Sequence, residues 1–254
     1  MATFLRHESC TRCGSRDNFA RYSDGGGFCF GCRYSERATG SPFKHAAELD
    51  AVSYDTSQAI NLPEDSRSTL PERAVQYLSK YGVTLGEGVR SNVLWSEWNE
   101  QLIYPYYATT EDGRKYLACY QARNFNKSRQ EKAKYFNKGS TRDVIPVIKC
   151  LPTTVERLVM FPKRLVITED ALSAIRIARQ CDAMPALGTN VPVSKIMALA
   201  RSYERITIWL DSDKWREARE IADNVKWLGL SADTIYSELD PKAYTDEQIT
   251  EYLK

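Results

Sequence analysis

The stretch ITIWLDSDKW, residues 206–215, decides how this chain folds. Its first five residues are β-branched or large and apolar, the composition of a strand buried on both faces. Asp211 and Asp213 follow, one residue apart, and the chain then enters KWREAREIADNVKWLGL. There Trp215, Ala218, Ile221, Ala222, Val225 and Leu228 recur at helical spacing, so one face can cover a sheet. Two carboxylates where a buried strand ends repel each other and resist desolvation. They must shift their pKa values or hold a cation.

Working outward, the same alternation runs through the last third of the chain. RLVIT reads as a buried strand, EDALSAIRIARQ as a helix, MPAL as a short strand and VSKIMALARSY as a second helix; RITIWL and its helix follow. SADTIYSEL adds a strand, and TDEQITEYLK a helix opened by a Thr245 to Gln248 capping box. Strand and helix in alternation imply a parallel sheet with helices on both faces. Function in such sheets gathers outside the carboxyl ends of the strands.

Glu169 ends the first of these strands as Asp211 ends a later one, so Glu169, Asp211 and Asp213 are predicted to face one crevice. Asp211 and Asp213 point the same way if extended geometry persists that far. Three carboxylates in one pocket suit Mg2+ or Mn2+, hard cations usually shared with substrate phosphates. The competing reading makes Glu169 or Asp170 a helix N-terminal acid and Ser212 or Asp213 a cap. Two acids at equivalent strand ends favour the metal. Asp240, in ELDPKAY, reads equally as a further acid of the cluster or as an Asp-Pro turn.

The N-terminus carries a second metal signal. Four of the seven cysteines, Cys10, Cys13, Cys29 and Cys32, are spaced C-x2-C-x15-C-x2-C, which presents four thiolates to one Zn2+. Rubredoxin-like iron is the competing metal, and nothing in the sequence suggests electron transfer. Some thirty residues bury too little apolar surface to fold unaided, so the metal supplies much of the folding free energy. Around the hooks stand Arg12, Arg16, Phe19, Arg21, Tyr22, Phe28, Arg33 and Tyr34. Cations interleaved with aromatics suit single-stranded nucleic acid; a bare structural staple is the alternative. Cys119, Cys150 and Cys181 read as small hydrophobes.

Between these ends, residues 37–66 are polar with Gly, Ser and Pro breaks and read as a linker. LPERAVQYLSKYGV predicts a helix begun by Pro71, and NVLWSEW, QLIYPYYAT and KYLACYQARNF predict strands, the last two joined by a hairpin at TTEDGR. The densest charge run follows: Arg114, Lys115, Arg123, Lys127, Arg129, Lys132, Lys134, Lys138 and Arg142, opposed within that span only by Glu131. A solvated loop is the ordinary reading. Tyr135 and Phe136 among the cations favour a phosphate-binding one. The division expected is a zinc ribbon at 1–36, a linker at 37–66, a mixed α+β basic subdomain at 67–161 and the parallel-sheet unit at 162–254, an α/β chain overall.

Composition excludes little else. The 254 residues are 43% hydrophobic and 27% charged, and a net charge of +2 makes no nucleic-acid case by itself. No signal-peptide core and no run of about eighteen apolar residues is present, so no membrane partner and a cytoplasmic location, that of a host cell if the chain is phage-encoded, are expected.

The acid of VITED and the D-x-D of WLDSDKWREA resemble the toprim fold of bacterial-type primases, topoisomerases and some nucleases. A zinc ribbon, a basic unit and then toprim is the order of DnaG-like primases. Cys10-Thr11-Arg12-Cys13-Gly14-Ser15, Ser23-Asp24-Gly25 and Phe28-Cys29 are similar to the zinc module in the primase half of the primase-helicases of short-tailed bacteriophages. The resemblance spans Cys10 to about Lys242 and departs at two points: Asp170 stands where the phage relatives commonly have glycine, and Gly26 where close relatives have a template-reading histidine.

The resemblance implies a DNA primase joining ribonucleoside triphosphates into short RNA primers on single-stranded DNA. Asp211 and Asp213 would hold Mg2+, with Glu169 the base or second metal ligand. Arg123 of YQARN and Lys134 and Lys138 of KYFNKG would contact nucleotide and template. No G-x-x-x-x-G-K-[ST] occurs up to Lys254, so a separate helicase, with a DNA polymerase, is the expected partner. A toprim nuclease and a non-catalytic recombination mediator are the rival readings.

Overall fold

The structure, a computed structural model, describes residues 4–23, 25–29, 32, 34–36, 59–110, 112–142, 144–150, 163–188 and 190–254. The chain divides into two compact units, Met1–Val52 and Ser53–Lys254. Residues 37–58 of the expected linker, and Arg33 of the basic-aromatic set, lie outside the described residues. Ile60 and Leu62, from the linker's C-terminal part, pack on the second unit.

In the first unit four short strands, β1 (Phe4–Glu8), β2 (Phe19–Tyr22), β3 (Gly27–Cys29) and β4 (Ser35–Glu36), form an antiparallel sheet in chain order. Its core is small: buried Cys10, Phe19 and Cys29, with Tyr34 against them. Gly27 is dictated by that core, because a Cβ there would lie 2.2 Å from the Phe19 ring. Arg21 ties β2 to its neighbour β1 through Glu8 and, across β3, to β4 through Glu36.

The second unit holds two sheets. β5 (Leu94–Ser96), β6 (Gln101–Thr109), β7 (Lys115–Asn124) and β8 (Tyr135–Gly139) pair antiparallel in chain order. Helices α1 (Glu72–Lys80) and α2 (Leu85–Arg90) precede them, and the short α3 (Lys127–Gln130) sits between β7 and β8. Pro71 takes the N-cap position of α1, one residue earlier than its sequence suggests.

In the second sheet β9 (Arg164–Thr168), β10 (Asp182–Pro185), β11 (Arg205–Ile208) and β12 (Ser231–Thr234) lie in the order β10-β9-β11-β12, every pair parallel. The chain moves from β9 outward to β10 and then returns to the other side of β9 for β11. That reversal is a topological switch point, where open sheets of this kind bind their ligands.

Strand alternation sorts the two faces of this sheet. Leu165, Ile167, Ile206 and Ile208 pack beneath Ile196 and Leu199 of α5 (Val193–Ala200) and Ala218, Ile221 and Val225 of α6 (Trp215–Trp227). Val166 packs on the other face with Ala174 and Ile177 of α4 (Ala171–Ile177), and with Ile249 and Leu253 of α7 (Asp246–Leu253). All seven residues of α4 are buried, because its far side also packs on Trp95, Leu102 and Tyr104 of the first sheet. One helix thus fixes the two sheets to each other and sets the position of the residues at its N-terminus. No helix among the described residues is long and apolar enough to cross a membrane.

Candidate active site and zinc centre

Cys10 follows β1, a tight turn brings round Cys13, and Gly14 takes φ +69° to let the turn close. Cys29 ends β3. The four Sγ atoms all lie within 4.8 Å of one another, with Cys10 to Cys32 at 3.6 Å and Cys13 to Cys29 at 3.7 Å. A tetrahedron of thiolates about 2.3 Å from a zinc ion has edges of about 3.8 Å, whereas a disulfide needs about 2.05 Å. The cysteines are therefore placed for one zinc ion. The Ser15 hydroxyl lies 3.3 Å from Cys13 Sγ, beside the cluster.

Of the remaining cysteines, Cys119 and Cys181 are buried in apolar clusters, and burial pushes the Cys181 thiol up to about 12, whereas Cys150 is only half-buried.

In the second unit a cleft of about 440 Å³ opens where the carboxyl ends of β9 and β11 meet the face of β7 and β8. Glu169, Asp170, Asp211, Asp240 and Lys242 line one wall; Gln121, Arg123, Lys134, Tyr135 and Asn137 line the other. β9 and β11 are neighbours in register, Ile208 beside Ile167, so Glu169 and Asp211 both lie past the same end of the sheet and line this cleft. Gln121 joins the walls, its Oε1 accepting the Ala171 N–H at 3.0 Å, and Asn137 donates to the Leu187 carbonyl at 2.6 Å.

The acids differ in what they touch. Asp170 caps α4: its Oδ1 accepts from the Ser173 N–H at 2.8 Å, and its Oδ2 from Lys242 at 2.6 Å. Asp240 opens a 3-10 turn over Pro241–Ala243 and also pairs with Lys242 at 2.9 Å. Asp240 is thus a turn residue that also lines the cleft. Glu169 Oε2 and Asp211 Oδ1 are buried and accept no hydrogen bond. Burial, with the neighbouring Asp170, raises the Glu169 carboxyl; burial, with Asp170, Asp240 and Glu169, raises Asp211 to about 7 against the opposing pull of Lys242. Orphaned, desolvated oxygens of this kind are what a divalent cation relieves, so Glu169 and Asp211 fit such an ion.

Asp213 is placed differently from the expectation. β11 ends at Ile208 and a 3-10 turn occupies Ser212–Lys214, so the extended geometry that would align Asp213 with Asp211 is absent. Its side chain is 72% exposed and pairs with Lys214 at 2.7 Å, although its charge still helps to raise Glu169. Among the described residues only the four cysteines bring three or more candidate donors within 4.8 Å of one another.

On the basic wall, Arg123 is clamped between rings, its guanidinium 5.4 Å from the Tyr77 centroid and 5.2 Å from that of Tyr135, whose hydroxyls hydrogen-bond each other. Arg123 Nε and Nη1 are buried without a hydrogen-bond partner. Lys134 lines the cleft. Lys138 does not: it pairs opposite Tyr120 and lies over that ring at 6.0 Å, on the face away from Gln121 and Arg123. Lys242 and Tyr77 carry no local sequence signal for this site; the fold alone brings them there.

A larger groove of about 960 Å³ beside Glu87, Arg179 and Lys149 lies elsewhere on the unit. Several of its charges are already matched, Arg179 with Glu87 and Asp246 and Lys149 with Asp182.

No protein-family model and no curated protein matches the sequence. Among solved structures, the zinc-binding and RNA polymerase domains of the Aquifex aeolicus primase superpose with TM-score 0.55 and 14% identity, over 99% of this chain and 79% of that one. The DnaG catalytic core superposes with TM-score 0.50 and 16% identity, over 72% of each chain. The primase fragment of the bacteriophage T7 primase-helicase gives TM-score 0.49 and 14% identity, over 99% of this chain and 100% of that one. A four-cysteine unit followed by an antiparallel sheet and a four-stranded parallel sheet with helices on both faces is therefore, in this chain, the fold of the DnaG-like primases.

Proposed function

We propose that the chain is a DNA primase, joining ribonucleoside triphosphates into short RNA on a single-stranded DNA template. The observation that carries this reading is the cleft itself. Two half-buried carboxylates, Glu169 and Asp211, each with one buried oxygen that accepts no hydrogen bond, face a basic wall of Arg123 and Lys134 across the cleft. Phosphoryl transfer asks for that pairing, since positioning and charge stabilisation do most of the work.

Glu169 and Asp211 would hold Mg2+ or Mn2+, which when bound polarises the triphosphate and steadies charge on the attacking and leaving oxygens. Arg123, immobilised by its two tyrosines, would direct its unpaired Nε and Nη1 at phosphate oxygens, and Lys134 would neutralise the template or triphosphate backbone. Asp213 would join the ion once its pair with Lys214 opens, and Lys138 would follow the template on the outer face.

The zinc unit would select the template, with Arg12, Arg16 and Tyr34 among its contacts, and a linker would raise its effective concentration at the cleft. Residues 67–161 and 162–254 would act as the two halves of the polymerising unit. The expected partners are single-stranded DNA, ribonucleotides, a separate helicase and a DNA polymerase, in a cytoplasm.

The test is to incubate the protein with single-stranded DNA of varied sequence, labelled ribonucleotides and Mg2+. Short RNA that disappears in Asp211→Ala supports the reading. Nicked DNA would make the chain a nuclease, and binding without product would make it a mediator of strand handling.

A further inference from the structure

Lys242 lies inside the acidic wall, and the polymerase reading gives it no task. Its side chain is only 8% exposed. Nζ sits 2.6 Å from Asp170 Oδ2, 2.9 Å from Asp240 Oδ2 and 4.0 Å from Asp211 Oδ2.

Taken oxygen by oxygen, the wall separates into two parts. Asp170 has both oxygens engaged, one by the Ser173 N–H and one by Lys242, and Asp240 turns an oxygen to the same ammonium. Glu169 Oε2 and Asp211 Oδ1 are engaged by nothing. Enzymes that transfer nucleotidyl groups often clamp the reacting phosphate between two divalent ions. Here a second ion on this wall would turn to Asp170, both of whose oxygens are engaged, or to Asp240, one of whose oxygens the ammonium holds, and would meet a like charge beside it.

We propose that Lys242 replaces one member of such an ion pair: a single exchangeable Mg2+ or Mn2+ binds between Glu169 and Asp211, and the tethered ammonium neutralises Asp170 and Asp240. This rests on the metal reading of the cleft given above. Lys242 is in these terms a positioning residue, setting how many ions the wall accepts. Because the charge is covalently attached it cannot dissociate, so Asp170 keeps its place at the head of α4 at any magnesium concentration.

The experiment counts ions, without reference to catalysis. The full chain, with zinc bound, is titrated with Mn2+, and free Mn2+ is followed by electron paramagnetic resonance; the sites counted are those that Mg2+ displaces. The expected result is one such ion per chain, rising to two in Lys242→Gln, with folding of the variant checked by circular dichroism and melting. Two displaceable ions in the unaltered protein would overturn the proposal while leaving the metal reading intact. A folded Lys242→Gln that still binds one ion would overturn it as well. No displaceable ion in the unaltered protein would remove the metal reading and this proposal together. Should Lys242→Gln not fold, the count in the unaltered chain still decides.

Discussion

The zinc unit and the acidic cleft of this protein are built by opposite means. In the zinc unit four donors come from two short hooks, converge within 4.8 Å and sit on a core of three buried residues. In the cleft the acids come from Glu169, Asp211 and Asp240, far apart in sequence. A large core aligns them, and they still do not close around one point. A site that must hold its ion for the life of the fold uses local chain geometry. A site suited to exchanging its ion with substrate is assembled by topology and leaves oxygens unpaired.

Removing the metal from each region should separate them most sharply. Chelating zinc, or replacing Cys29 by Ser, should unfold the first unit outright, since structural zinc contributes on the order of 10 kcal/mol to so small a domain. The second unit has hydrophobic clusters of its own, so its melting should be unchanged. Calorimetry of the zinc-free chain tests this; a shift in the main transition would show that the units depend on each other.

The cleft should respond in the reverse direction. Asp211→Asn removes a buried carboxyl held at about 7, and should lower primer synthesis by a factor of about 10³, or about 4 kcal/mol in barrier. In chelator and above pH 7, however, it should stabilise the fold by about 1 kcal/mol or more. The sign follows from linkage: a carboxyl whose folded pKa is raised contributes stability below its unfolded value of 3.8, and loses it as pH climbs through about 7. An Asp211→Asn protein that melts lower than the parent at pH 8 would mean that the carboxylate is satisfied, and that the cleft resembles the zinc unit after all.

How much of this contrast was legible in the sequence follows the same division. The cysteine spacing is a local property, and it placed all four ligands. The strand-helix alternation after residue 162 is also local, and β9, β11, α6 and the Thr245 capping box lie where periodicity puts them. The convergence of Glu169 and Asp211 needed one further step, the rule that parallel strands present their carboxyl ends together.

What could not be read was side-chain direction beyond the end of a strand. Whether Asp213 follows Asp211 depends on the turn at 212–214, which ITIWLDSDKW does not specify. Lys138 was grouped with Lys134 by composition, whereas the pairing of β7 with β8 puts it on the other face. Lys242 could not be anticipated at all, because its partner Asp170 lies 72 residues away in sequence.

A third comparison sets a satisfied carboxylate against the orphaned ones. Glu87 accepts from the Arg179 guanidinium at 2.5 and 2.7 Å, and from the Thr84 N–H and hydroxyl at 2.8 and 2.9 Å. Burial alone would raise its carboxyl, but these donors hold it at about 2 against an ordinary 4.5. A depressed carboxyl stabilises above its unfolded pKa and loses that contribution as pH falls toward the folded one. Between pH 4.5 and 2, then, the protein should lose about 3 kcal/mol that Glu87→Gln lacks throughout. Denaturant midpoints at pH 6 and pH 3 measure it. Equal losses in parent and variant would reassign the acid sensitivity to another carboxylate.

The smallest effect compares two helix caps. Asp170 and Thr245 do the same backbone task, accepting the N–H three residues on, at 2.8 Å from Ser173 and 3.3 Å from Gln248. Asp170 also binds Lys242 in the cleft, whereas Thr245 belongs only to the box that starts α7, its own N–H donating to Gln248 Oε1 at 2.9 Å. Thr245→Ala should therefore lose about 1 kcal/mol of stability, the ordinary value of a cap, and leave Mn2+ binding and primer synthesis at parental levels. α7 packs through Ile249 and Leu253 on the same sheet face as α4. If Thr245→Ala weakened Mn2+ binding in a protein that remained folded, α7 would be holding α4, and with it Asp170, in register. The cleft would then depend on packing well beyond its own walls.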